Sequence, residues 1–192
     1  MTRWWWVRHG PTHEKAFCGW RDVPADLSDE DTILRLNAYL PSQAVIVSSD
    51  LRRAVQTADA LEKGRTRLDH LQAFREFHFG DWDGLTFDDV SRRDPELSRA
   101  YWEDPGEIKA PNGESWYDAA RRIEPEVDRM NESYAGQNII AVAHFGAILT
   151  QVGRAGGLPP YDCLGHGIDN LSVTEMSWDG HQWHLGKINH VP

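Results

Sequence analysis

The chain has 192 residues, 40% hydrophobic and 26% charged, with a formal net charge of −10 at pH 7. That length supports one sizeable core but not a second full domain, so residues 1–192 read as one domain, and the composition excludes disordered and fibrous classes. The acidic balance argues against nucleic acid or an anionic membrane as partner, since both need basic patches, but leaves room for a small anionic substrate where a few Arg and His side chains converge.

Trp4 to Val7 is a short apolar run of the kind that forms a strand buried on both faces; it is too short for a signal-peptide core or a membrane span. It stops abruptly at Arg8-His9-Gly10-Pro11, which puts two cationic or titratable groups at a strand's carboxyl end. Ser28 to Leu40 has Ile33, Leu36 and Leu40 at helical spacing behind a Ser cap. Ala44 to Val47 predicts a second strand, ended by Ser48-Ser49-Asp50, and Ala54, Val55, Ala58 and Leu61 predict a helix closed by Lys63-Gly64. Arg67 to Leu71 is a candidate third strand.

No element is predicted between Leu85 and Pro111, which reads as part of a rim together with Gly19 to Asp26. Trp116, Ala120, Ile123, Val127, Met130 and Tyr134 share one helical stripe, in which Pro125 predicts a kink or a split. Asn138 to Ala143 is the clearest buried strand, with His144-Phe145-Gly146 directly after it and a helix-like stretch from Ala147 to Val152. Leu171 to Trp178 and Gln182 to Ile188, joined across Asp179-Gly180, read as a terminal hairpin. The alternation predicts an α/β fold, a three-layer sandwich in which a mostly parallel central sheet carries helices on both faces. Ligands of such sheets gather at the carboxyl edge.

Three strand ends therefore deliver polar groups: Arg8 and His9, Ser49 with Arg52 or Arg53, and His144. Guanidinium and imidazole groups around one point suit a phosphoryl group, because Arg makes bidentate, charge-assisted bonds to its oxygens. Cys18 and Cys163 lie outside any CxxC or zinc spacing, which predicts a reduced, cytoplasmic protein. The remaining histidines, among them His78, His166, His181, His184 and His190, form no metal-ligand spacing.

Arg8-His9-Gly10-Pro11-Thr12 resembles the RHGxT signature of the histidine phosphatase superfamily, to which the cofactor-dependent phosphoglycerate mutases belong. Ser48 to Ala58 resembles its S-x-L-x-R-A-x-x-T-A segment, and Glu76 to Gly84 its E-x-x-F-G-x-W-E/D-G segment. Pro111 to Ser115 resembles the P-x-G-E-S turn, and Ala143 to Gly146 the second histidine motif. A lone Arg-His-Gly is commonly a turn; several segments in family order over nearly the whole chain are far more specific.

The resemblance implies that His9 is the nucleophile, that Arg8, Arg53 and His144 clamp the phosphoryl oxygens, and that Glu76 is the proton donor. It also chooses Arg53 over Arg52. Thr12 belongs to the substrate-binding set, and Lys15 stands where many members carry an Asn that seats the phosphoryl group. The expected activity is metal-independent hydrolysis of a small phosphomonoester through a phosphohistidine, with no cofactor. Phosphoglycerate mutase-type transfer, a ribazole-phosphate-type phosphatase and a non-catalytic phosphate-binding module are the alternatives. The short stretch between Glu76 and His144 favours a phosphatase over a mutase.

Overall fold

A computed structural model describes all residues, Met1–Pro192. Its sheet is built from β1 (Thr2–Arg8), β2 (Val45–Ser48), β3 (Thr66–Arg67), β4 (Asn138–Ala143), β5 (Val173–Trp178) and β6 (Trp183–Leu185), in the order β3-β2-β4-β1-β5-β6. The first four strands run parallel, and the terminal hairpin β5–β6 is added antiparallel to β1.

The apolar runs are continuous because both faces of the sheet are covered. Trp4, Trp6, Val45, Val47, Ile139 and Ala141 face α5 (Trp116–Ser133) and α6 (Phe145–Gly156). The alternate residues Val7, Ile46, Ile140 and Val142 face α1 (Glu30–Tyr39) and α2 (Arg52–Ala60). Each fully buried aliphatic side chain contributes about 1.5–3 kcal/mol of transfer free energy, so this two-faced pattern sets the register of every central strand.

The three-layer α/β architecture is as the alternation predicts, and the local differences have physical causes. The cap of α1 is Asp29, whose carboxylate accepts the Thr32 N–H at 3.0 Å; Ser28 instead donates its own N–H to Asp26. β3 is only Thr66–Arg67: Leu68 and Leu71 still donate N–H bonds to the carbonyls of Ile46 and Ser48, but the chain between them leaves the ladder. Pro125 neither splits α5 nor ends it, because the buried stripe of Ile123, Val127 and Met130 holds both halves against the sheet.

Two helices arise where none was predicted, α3 (Phe87–Arg93) and α4 (Pro95–Glu103). α3 starts on a reciprocal cap between Thr86 and Asp89, and α4 has Pro95 in its first turn. They gather Val90 and Tyr101 around Trp82 in a separate small cluster. The short α7 (Pro160–Cys163) packs beside α6. No helix is long and apolar enough to cross a membrane.

Candidate active site

Strand register brings the site together. Arg8 on β1 pairs with Ala143 on β4, and Ser48 on β2 pairs with Val142, so the next residues, His9, His144 and Ser49, emerge side by side at the carboxyl edge. Their backbones continue the ladder: the His9 N–H donates to Ala143 O and the Ser49 N–H to Val142 O, both at 3.0 Å. The two imidazole rings lie 5.1 Å apart, centre to centre.

Helix α2 begins just after β2 and turns Arg53, with Thr57, into the protein while Arg52 faces solvent. Arg53 is only 1% exposed, and its Nε donates to His9 Nε2 at 3.2 Å. On the other side of the ring, His9 Nδ1 is 2.7 Å from Gly10 O. A carbonyl only accepts, so the proton sits on Nδ1 and the Nε2 lone pair faces Arg53. Burial, reinforced by the Arg53 and Arg8 charges against the Gly10 bond, pushes the His9 pKa down to about 3. The ring is neutral at pH 7.

His144 is completely buried and also held well below the usual imidazole range, first by burial and then by Arg53. Its Nε2 is 2.9 Å from Ser49 Oγ, whereas Nδ1 has no partner. Arg8 donates Nη1 to Ile168 O at 2.6 Å, and its Nε is buried without an acceptor. Glu76 lies close enough to raise the affinity of Arg8 for its proton, although burial dominates and lowers it.

Glu76 reaches the amino end of α6. Its Oε1 accepts the N–H groups of Phe77 (2.9 Å) and Ala147 (3.3 Å), and its Oε2 that of Gly146 (3.1 Å). Uncapped amides at a helix start are anion sites, and the carboxylate fills this one. A Cβ on Gly146 would come within 2.6 Å of Oε1, so glycine is required for this approach.

The histidine phosphatase superfamily (branch 1) profile matches residues 4–191 of this chain. The chain belongs to this superfamily. A protein of Mycobacterium tuberculosis described as bifunctional is 35% identical over 169 residues, 84% of this chain and 43% of that protein. The chain thus spans less than half the length of that relative. A glucosyl-3-phosphoglycerate phosphatase of Mycolicibacterium vanbaalenii is 33% identical over 186 residues, covering 89% of this chain and 82% of the relative. The structure of a mycobacterial glucosyl-3-phosphoglycerate phosphatase in complex with VO3 superposes with a TM-score of 0.85 at 28% identity, covering 98% of both chains.

In this member of the superfamily, Arg8, His9, Arg53, Glu76 and His144 gather at one end of the sheet. Thr12 is half-buried with its Oγ1 3.4 Å from the Glu14 N–H, and Lys15 is exposed without a hydrogen bond. Trp102 and Trp116 line a shallow apolar hollow with Phe77 and Tyr101. Trp20 stacks instead near the guanidinium groups of Arg75 and Arg122, 4.9 and 5.9 Å from its ring centre.

Several supporting residues escaped the sequence reading. Asn170 donates Nδ2 to His9 O at 2.8 Å, and Thr57 Oγ1 accepts the Gly10 N–H at 2.9 Å, so the backbone on both sides of His9 is pinned. Arg122 donates to the carbonyls of Ala73, Arg75 and Glu76 while paired with Glu114. The E-S turn and the α5 stripe announce Glu114 and the helix, but the partners of Arg122 lie more than forty residues away. No group of three or more His, Cys, Asp or Glu side chains is arranged to hold a metal ion.

Proposed function

We propose that the chain is a metal-independent phosphatase that hydrolyses a small phosphomonoester through a phosphohistidine on His9. The observation that carries this reading is the His9 ring: neutral, fixed by Gly10 O, with its Nε2 lone pair facing the buried guanidinium of Arg53. In the first step a phosphoryl oxygen takes over the Arg53 Nε hydrogen and frees that lone pair. The Nε2–P bond forms as the bond to the leaving alcohol breaks, and the electron pair goes to the departing oxygen.

Arg8 Nε and His144 Nδ1, both unpartnered, are supplied for the remaining phosphoryl oxygens, with Thr12 as a further donor and Lys15 as a distant point charge. With Arg53, these donors meet the charge of the transition state without a metal. Glu76 gives its proton to the leaving oxygen and then takes one from the water that attacks phosphorus, returning the electron pair to Nε2. Oε2 is the oxygen with a lone pair to spare for that proton, because Oε1 accepts two N–H bonds and Oε2 only one.

Burial of Glu76 among these groups favours catalysis over simple phosphate capture, which needs neither nucleophile nor acid. We read residues 1–192 as one domain, supported by one continuous sheet, and place it in the cytoplasm, supported by free Cys18 and Cys163. A screen over small phosphomonoesters with excess chelator tests the reading. It predicts turnover unaffected by the chelator; hydrolysis that appears only after a divalent metal is added would contradict it.

A further inference from the structure

Asp83 follows a 3-10 turn, Gly80–Trp82, and its carboxylate collects a run of backbone amides from another part of the chain. Oδ1 accepts the Gly19 N–H at 3.2 Å and Arg21 Nε at 3.0 Å. Oδ2 accepts the Trp20 N–H at 3.0 Å and the Arg21 N–H at 3.2 Å. In a planar trans peptide the N–H and the preceding C=O point in opposite directions. Holding the amides of Gly19 and Trp20 on Asp83 therefore turns the carbonyls of Cys18 and Gly19 to the far side.

Arg53 stands on that far side. Its Nη2 donates to Cys18 O at 3.2 Å and Gly19 O at 2.7 Å, and its Nη1 to Arg21 O at 2.9 Å. These bonds fix the plane of the guanidinium whose Nε meets His9. Gly19 permits the arrangement, since a Cβ there would lie 2.5 Å from Phe77 O. The same loop touches the other half of the site, where the Trp20 indole N–H donates to Glu76 O at 2.8 Å.

We propose that Asp83 is a positioning residue that sets the phosphoryl-binding orientation of Arg53 through the peptide groups of Cys18 to Arg21. The inference rests on the phosphatase reading above. In Asp83→Asn the amide keeps one acceptor oxygen and turns an NH2 toward backbone N–H groups, so the loop carbonyls lose their alignment. A misplacement of about 1 Å in such a group costs on the order of 10²-fold in rate.

The test is a double-mutant cycle read by inhibition with orthovanadate and by kcat/KM on an aryl phosphate, on folded protein at 25 °C. Asp83→Asn is expected to weaken both by about 10–100-fold, and to add nothing further in an Arg53→Ala background, because its effect runs through Arg53. Asp89→Ala, which removes the α3 cap and an exposed ion pair with Arg92 but touches nothing bonded to Arg53, controls for stability: it should lower Tm and leave vanadate inhibition unchanged. If Asp83→Asn does not fold, Asp83→Ser carries the same expectation. Values within twofold of wild type, or an equal loss with and without Arg53, would overturn the inference. A wild-type chain that neither hydrolyses phosphomonoesters nor responds to vanadate would overturn the phosphatase reading itself, and this inference with it.

Discussion

The two ends of the sheet use arginine in opposite ways. At the amino end, Arg65 directs all its donors into the protein: Nε to Pro41 O, Nη1 to Leu61 O and Asn37 Oδ1, and Nη2 to the carbonyls of Asn37 and Leu40. Those carbonyls end α1 and α2, where helix termini are rich in unpaired acceptors, so the cation closes the structure. At the carboxyl end, Arg8 has a buried Nε with no acceptor, His144 an unpartnered Nδ1, and Arg53 a bond to an imidazole lone pair. The first cluster is complete without a ligand. The second leaves Arg8 Nε and His144 Nδ1 over, the donors that the proposed function assigns to a phosphoryl group, and that asymmetry guides the search better than cavity size: the roomier hollows, such as that beside Gln43 and Arg65, lie at other places on the surface.

The largest effect that would sharpen this contrast is at Glu76. Glu76→Gln should slow phosphoenzyme formation from alkyl phosphates by about 10²–10⁴-fold and from an activated aryl phosphate far less, since an aryl oxide departs without a proton. Single turnovers are the proper measurement, because Glu76 also serves the second step. An equal loss for both substrates would remove it from the acid role.

The direct comparison comes next. Arg8→Met should reduce kcat/KM by about 10²–10³-fold with only a small fall in Tm, since a single carbonyl, Ile168 O, loses its donor. Arg65→Met should do the reverse: it strands buried carbonyls at a cost of about 3 kcal/mol or more, with kcat/KM of the folded protein unaltered. Urea titration and steady-state kinetics on both variants separate the two ends. Matching profiles for Arg8 and Arg65 would break the comparison.

A smaller, graded effect follows from keeping imidazoles neutral at the carboxyl end. The folded pKa of His9 is about 3, below its unfolded value near 6.5, so between those values the unfolded chain binds the extra proton. Stability is therefore full above the unfolded pKa and falls as pH drops toward 3, by up to about 1.4 kcal/mol per pH unit for this group. His144 acts in the same direction. Urea titrations at pH 7 and pH 5 should show a shallower loss for His9→Gln than for wild type; identical slopes would mean that His9 is not held neutral by its surroundings.

Much of this arrangement is legible in the sequence because its causes are local. The runs Trp4–Val7, Ala44–Val47 and Asn138–Ala143 are apolar at consecutive positions, which only a doubly covered strand explains, and the charged residues just beyond them must leave at the strand ends. Periodicity could not separate Arg52 from Arg53; the family resemblance did, and α2 buries the second of them with Thr57 one turn on. What stayed hidden depends on distant partners. Asp83 stands at the E/D position of the W-E/D-G segment, but the amides it meets lie sixty and more positions earlier, and Asn170, which reaches back to His9 across the sheet, carries no local pattern at all. The α3–α4 pair was hidden for another reason: its apolar face packs on Trp82 rather than on the sheet and is too short to show a period, although Thr86 with Asp89 and the position of Pro95 mark both helix starts.

The central claim, that His9 carries the phosphoryl group, is tested most directly by quenching wild type and His9→Ala with a 32P-labelled phosphomonoester within the first turnover. The account predicts a labelled wild-type protein whose label is lost in acid and stable in base, as a phosphoramidate is, and no label in His9→Ala. Label retained by His9→Ala, or a wild-type label that survives acid, would place the nucleophile on another residue.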